Sequence, residues 1–210
     1  MTLAVFFSFM IYSFVTSVTP GPNNIMLAAS GVNFGFKRSI PHILGIGFGF
    51  GFMVSIVGLG VGTLLSSNII LYELLKVLGI GYLLYLAYQI YQAGSVNTEL
   101  NQVKPLSFIQ AAMFQWVNPK AWVMAMGAVT TYLAANSEFY WYLIIGLVYG
   151  IIGIPSTGVW AFLGEKLQKY IHDDKKIKTF NTVMAILLVL SVLKPITDSF
   201  IFFLTIRNYL

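Results

Sequence analysis

The chain of 210 residues contains no cysteine. Disulfides, thiol chemistry, c-type haem attachment and cysteine-ligated metals are thereby excluded, and the redox compartment is left open. Charge is scarce as well: 9% of the residues carry it, against roughly 25% in ordinary soluble domains. Twelve Lys/Arg and seven Asp/Glu cannot give a soluble fold of this length its polar skin. No basic segment precedes the apolar run Leu3 to Val15, and Pro20 would follow the weakly cleavage-like Ser17-Val18-Thr19. That run therefore reads as a retained first span, not a secretion signal. No carboxylate falls mid-way along an apolar run, which argues against a divalent-cation exporter. No Ser/His or paired-Asp constellation marks an intramembrane protease. His42 and His172 stand near segment ends without a matching carboxylate cluster, so neither a metal site nor a cofactor is expected.

Apolar residues are plentiful, at 58%, and twelve Tyr with four Trp suit a protein that has two membrane–water interfaces to line. A membrane-spanning helix needs about 20 predominantly apolar residues. Six segments qualify: roughly 3–29, 38–64, 69–92, 107–134, 139–163 and 179–204. Polar breaks separate them at Asn33-Phe34-Gly35, Ser66-Ser67-Asn68, Gly94 to Lys104, Asn136-Ser137-Glu138 and Gly164 to Lys178. The expected fold is an all-α integral membrane protein of about six transmembrane helices, with no soluble domain. Lys37, Arg38, Lys104, Lys166, Lys169, Lys175, Lys176 and Lys178 fall in the first, third and fifth loops, whereas the other side holds only Arg207. By the excess of positive charge on cytoplasmic loops, those three loops are cytoplasmic and both termini lie outside. The net charge of +5 is thus read as a topology signal, with no nucleic-acid partner implied.

Two of these segments are interrupted. Thr19-Pro20-Gly21-Pro22-Asn23-Asn24 breaks the first, and Asn118-Pro119-Lys120 breaks the fourth. Each proline deprives the carbonyl four residues earlier of its helical donor: Pro20 that of Thr16, Pro22 that of Val18, and Pro119 that of Gln115. Bare backbone groups are costly in hydrocarbon, so these should face protein or a wet cavity. Pro22 suits the first turn of a new half-helix, whose N–H groups at Asn23 and Asn24 can hold a carboxylate. Asn118 can cap the second new half-helix. Lys120 in its first turn is a costly cation that needs a partner, either a ligand carboxylate or a protein acceptor. Breaks at corresponding places in two three-span halves, roughly 1–95 and 104–205 of one membrane domain, point to a binding site between inverted repeats.

Other polar groups read less sharply. Lys194 and Asp198 are four apart and can pair on a helix, Pro195 frees the Ser191 carbonyl beside them, and Lys120 or Lys194 is available to carry a coupling proton. Glu73 and Lys76 read as an interfacial pair. The glycines of the second segment form GxxxG pairs (Gly45/Gly49, Gly47/Gly51, Gly58/Gly62) that suit close helix packing rather than a nucleotide loop. Tyr82, Tyr85, Tyr88 and Tyr91 read as packing and interface anchors.

With these residues in place, the sequence resembles the LysE/RhtB family of bacterial amino-acid exporters. The resemblance rests on Thr-Pro-Gly-Pro-Asn at 19–23, the Gly-rich second segment, Lys76-Val-Leu-Gly-Ile-Gly-Tyr-Leu-Leu-Tyr-Leu through 86, and Val117-Asn-Pro-Lys-Ala. Lys104-Pro105-Leu106-Ser107-Phe108 further resembles the cysteine/O-acetylserine exporters within that family. The resemblance implies secondary export of small amino acids across the bacterial inner membrane, driven by the proton gradient. The substrate site would be built from Thr19, Pro20, Gly21, Pro22, Asn23, Asn24, Gln115, Asn118, Pro119 and Lys120. Its carboxylate would meet Asn23-Asn24 or Lys120, and its ammonium the freed carbonyls of Thr16, Val18 or Gln115. Expected partners are an amino-acid substrate, membrane lipid and a second copy in a homodimer. The alternative is a non-transporting membrane sensor or assembly subunit, against which the broken helices argue.

Overall fold

A computed structural model describes residues 1–93, 104–134, 137–171 and 173–207. The polar stretch 94–103, Asn136 and His172 lie outside the described residues. Among those described, all regular structure is helical. Helix α1 (Leu3–Val18) starts at Thr2, whose hydroxyl accepts the Val5 N–H, and stops where Thr19 turns extended ahead of Pro20. Helix α2 (Pro22–Phe34) begins with proline in its first turn and leaves α1 at an angle of 54°. Gly35, at φ 81°, then reverses the chain into α3 (Phe36–Ile56), a conformation that only glycine adopts without strain. A π-helical turn, Val57–Val61, carries α3 through a kink at Gly60 into the short α4 (Gly62–Ser67). That irregularity was not foreseen within the second segment.

Asn68 caps α5 (Ile69–Gln92), and a reciprocal Ser107/Gln110 capping box opens α6 (Phe108–Phe114). A 3-10 turn, Gln115–Val117, separates α6 from α7 (Pro119–Tyr132). Helix α8 (Phe139–Gln168) is the longest of the described helices, and α9 (Asp174–Leu190) is followed after a two-residue turn by α10 (Leu193–Arg207). Among the described residues, four stretches are long and apolar enough to cross a membrane: Phe36–Leu64, Ile69–Gln92, Phe139–Gln168 and Asp174–Thr205. The bent pair α1–α2 makes a fifth. The stretch 107–134 is divided into helices of 7 and 14 residues, neither of which reaches across a bilayer alone.

Helices α3 and α8 form the centre, and glycine sets their distance. A Cβ on Gly51 would stand 2.6 Å from the Gly146 carbonyl oxygen, and one on Gly47 would stand 2.3 Å from Ile154 Cγ1. The neighbouring face of α3 does the same against α6, where a Cβ on Gly45 would meet the Phe108 carbonyl at 2.3 Å. Close backbone approach, read from the GxxxG spacing, is what the glycines provide. The ends of α2, α5 and α8 meet the starts of α3, α6 and α9 at one pole of the bundle. Asn181 there bonds both Asn33 and the Ala93 carbonyl, and Gly35 faces Glu165. Lys37, Arg38, Lys104 and Lys166 belong to this pole.

Candidate functional site: a cavity at two helix breaks

The breaks in α1–α2 and α6–α7 lie side by side, and a small cavity opens between them. Of the expected residues, Gly21, Asn23, Asn24, Gln115, Asn118 and Lys120 line it. Thr19, Pro20, Pro22 and Pro119 do not; they shape the two bends. Asn118 caps α7 by accepting the Lys120 N–H at 3.1 Å, so proline and cap together fix where the new helix begins.

Lys120 meets protein acceptors. Its ammonium donates to the Thr19 carbonyl at 2.8 Å, the Thr19 hydroxyl at 3.0 Å and the Pro20 carbonyl at 3.2 Å, which uses all three N–H groups. The acceptors differ from those the proline rule singled out, for a physical reason. A bend also frees the carbonyls on its own residues, whose donors would have come from beyond it.

The carbonyls of Thr16, Val18 and Gln115, expected to be bare, each have a donor. Thr16 accepts from the Thr19 hydroxyl at 2.9 Å, and Val18 from the Trp160 indole at 3.0 Å. Gln115 accepts from the Asn118 N–H at 3.3 Å. Two of these donors are local, three residues on in the chain, while the third, Trp160, comes from a distant helix that local sequence rules do not see.

Two side-chain amides organise the rest. Asn23 and Gln115 form a reciprocal pair, with Nδ2 to Oε1 at 2.8 Å and Nε2 to Oδ1 at 3.3 Å, and Gln115 also donates to the Ala111 carbonyl at 2.8 Å. Asn24 spans the break in α1–α2, donating to the Ser17 carbonyl at 2.8 Å and the Thr19 carbonyl at 2.7 Å. Its Oδ1 is buried and has no hydrogen-bond partner. Leaving such an acceptor unmatched costs about 1–3 kcal/mol. No side chain caps α2, so the first-turn N–H groups of Asn23 and Asn24 stay available at the same cavity. A donor pair, an acceptor and a cation thus converge in one small space.

The remaining wall comes from α1, α3 and α8. Tyr149 is fully buried, bonded through its hydroxyl to Thr16 and set edge-on to Phe50 at 4.7 Å between ring centres. Gly153 and Thr157 of α8 line it too, as does Met124 of α7.

Comparison with known proteins now decides the family. The model of LysE type translocators matches residues 14–197 of the chain. The chain belongs to the LysE family. Its members are transporters, not enzymes. The homoserine/homoserine lactone efflux protein of Salmonella typhimurium (strain LT2) is 26% identical over 195 residues, covering 90% of this chain and 95% of that protein. The cysteine/O-acetylserine efflux protein of Escherichia coli (strain K12) is 28% identical over 191 residues, covering 90% of this chain and 96% of that protein. No solved structure matches the chain.

Other expected residues of this LysE-family protein fall elsewhere. Lys194 and Asp198 are both exposed, and no ion pair joins them. Four apart on α10, they share a face that the neighbouring helices leave uncovered. Glu73 is no open interfacial group: it is buried at 5% exposure, paired with Lys76 at 2.6 Å and bonded to the Ser199 hydroxyl at 2.9 Å. Tyr85, Tyr88 and Tyr91 are exposed, while Tyr82 stacks near Phe114.

Sequence reasoning missed Tyr149, Asn24 as a bridge, Trp160 and Asn181. For Tyr149 a signal existed. A tyrosine in the middle of an apolar span is far from the interfaces where tyrosine usually sits.

Proposed function

We propose that this LysE-family protein is a secondary exporter of small amino acids or their derivatives across the bacterial inner membrane. The observation that carries the reading is the pairing, in one cavity, of the uncapped N–H groups of α2 with the unmatched Asn24 Oδ1. An amino acid offers a carboxylate and an ammonium within a few ångströms of each other. The carboxylate suits the positive end of α2, helped by Lys120, and the ammonium suits Asn24 Oδ1. This replaces the carbonyls of Thr16, Val18 and Gln115 as acceptors. Support also comes from the two relatives, one named for homoserine and its lactone, the other for cysteine and O-acetylserine.

In this reading α6 and α7 together form a sixth, broken span, as α1 and α2 form the first. The halves 1–95 and 104–205 are then inverted repeats that meet at the cavity, and rocking one against the other exposes the site on either side. The matching position of Pro22 and Pro119, each opening a helix at a break, supports that symmetry. The pole with Lys37, Arg38, Lys104 and Lys166 is cytoplasmic, both termini lie outside, and a homodimer is the proposed assembly. The proposed drive is the proton gradient. The test is efflux of labelled homoserine, O-acetylserine and cysteine from vesicles holding the purified protein. Efflux of none would end the exporter reading, and efflux insensitive to a protonophore would remove the proton drive.

A further inference from the structure

A second cavity opens at the basic pole. Met26, Ser30 and Asn33 line it from α2, His42 from α3, Gln89 from α5, and Lys104 from the segment before α6. His42 is 1% exposed, and neither of its ring nitrogens has a hydrogen-bond partner. The polar groups around it are otherwise engaged. Ser30 bonds Ser39, and Asn33 is held by Asn181 and the Ala29 carbonyl. An imidazole sunk among apolar helices with both nitrogens idle is destabilising unless something visits it.

The two cavities are neighbours along the same pair of helices. On α3, Ile46 lines the central cavity one turn beyond His42, a rise of about 6 Å along the axis. On α2, Asn23 lines the central cavity and Met26 the second. Met26, which lines the second cavity, and Ile46, which lines the central one, are almost fully buried.

We infer that the second cavity is a separate binding station for a small zwitterionic amino acid, occupied before the substrate reaches the helix breaks. This rests on the exporter reading and adds a site to it. A neutral imidazole offers one N–H donor and one bare nitrogen acceptor, and the Lys104 ammonium supplies a cation on the same wall. The carboxylate of the ligand goes to Lys104 and the imidazole N–H. Its ammonium donates to the Gln89 amide oxygen, whose nitrogen is held by the Tyr85 hydroxyl, and a side-chain hydroxyl at the far end of the ligand donates to the bare nitrogen. Release of Met26 and Ile46 then passes it one turn onward.

The natural absence of cysteine makes the test direct. An Ile90→Cys variant of the full-length protein, which places the thiol on the cavity wall at a residue given no part in binding, is labelled with a maleimide, with and without homoserine or O-acetylserine as probe. The station predicts that a probe slows labelling, that this protection persists when Lys120→Met is added, and that it is lost with His42→Leu. His42→Leu should melt no lower than its parent, because two unmatched nitrogens have gone, whereas a merely structural histidine would lower the melting temperature. It should also raise the KM for internal substrate roughly tenfold or more. Should that variant fold poorly, His42→Gln, which keeps one donor and one acceptor, should show weakened protection. Absence of protection by either probe would overturn the station. So would protection abolished by Lys120→Met, since the cavity would then only report the central site. Protection is read without transport, so it stands apart from failure of the exporter reading, in which vesicles release no amino acid.

Discussion

The Lys120 ammonium lies 2.8 Å from the Thr19 carbonyl oxygen, although 101 positions separate the two residues in the chain. The bond ties the second helix break to the first, and its donor and acceptor exist because both helices are interrupted. A cation in the first turn of α7 is opposed by the helix dipole, and the carbonyls of Thr19 and Pro20 offset that cost.

Lys120→Met should therefore lower stability, not raise it. Three acceptors lose a charged donor, and bonds of that kind are each worth about 1.5–3 kcal/mol when fully formed, less here because the side chain is half-exposed. Lys120→Arg should rescue poorly, since a planar fork does not reproduce an ammonium that reaches three oxygens. Thermal melting and substrate affinity measured on the same preparations test this. A Met variant with unchanged melting temperature and affinity would remove Lys120 from both roles.

Gly21 sits where Lys120 crosses the break. A Cβ there would lie 2.6 Å from Lys120 Cδ and 3.1 Å from its Nζ. Gly21→Leu should insert into the membrane normally and export nothing, because the side chain evicts the lysine from its acceptors. Gly21→Ala should fall between the two. Expression level and efflux rate, read together, check the order.

Asn23 and Gln115 face each other with two hydrogen bonds, so their substitutions should not be additive. In a cycle of Asn23→Ala, Gln115→Ala and the double variant, the coupling energy in stability should lie within about 0.5–3 kcal/mol. Additive effects would mean that the pair is not formed in the protein studied.

Reporters fused at the C-terminus should be active only outside the cytoplasm, and a tag in the loop around Lys175 should be reached only from inside. A cytoplasmic C-terminus would mean an odd number of spans, and the divided stretch 107–134 would be the one that fails to cross.

What the sequence made readable was local. Pro20, Gly21, Pro22 and Pro119 act through covalent geometry and a missing N–H, so their bends followed from the residues themselves, as did the Asn118 cap. The glycine spacing of α3 announced a close approach, though not that α8 and α6 would be the partners. What satisfied the loosened backbone was only partly readable: Thr19 and Asn118 serve the Thr16 and Gln115 carbonyls locally, but Trp160 reaches the Val18 carbonyl over 142 positions. The bond between the Tyr149 and Thr16 hydroxyls, 133 positions apart, was hidden in the same way. The burial of Glu73 was hidden for the same reason: Ser199, which bonds it, lies on a helix 126 positions away. His42 was weighed as a metal ligand and set aside for want of carboxylates. Its idle nitrogens became visible only once its neighbours were known.

Along Gly47, Gly51, Gly146 and Gly150 the seam between α3 and α8 brings backbone close to backbone, with the small Ser55 and the single larger Ile154 side chain beside it. Most helix interfaces resemble gears, and moving them requires teeth to disengage and side chains to change rotamer. This one is closer to a plain bearing. Displacement along it exchanges one set of Cα-to-carbonyl contacts for another of similar strength, so little of the barrier to a change of access should come from repacking at the centre. Friction is left to the rims, where Met26, Ile46 and the Lys120 bonds must give way.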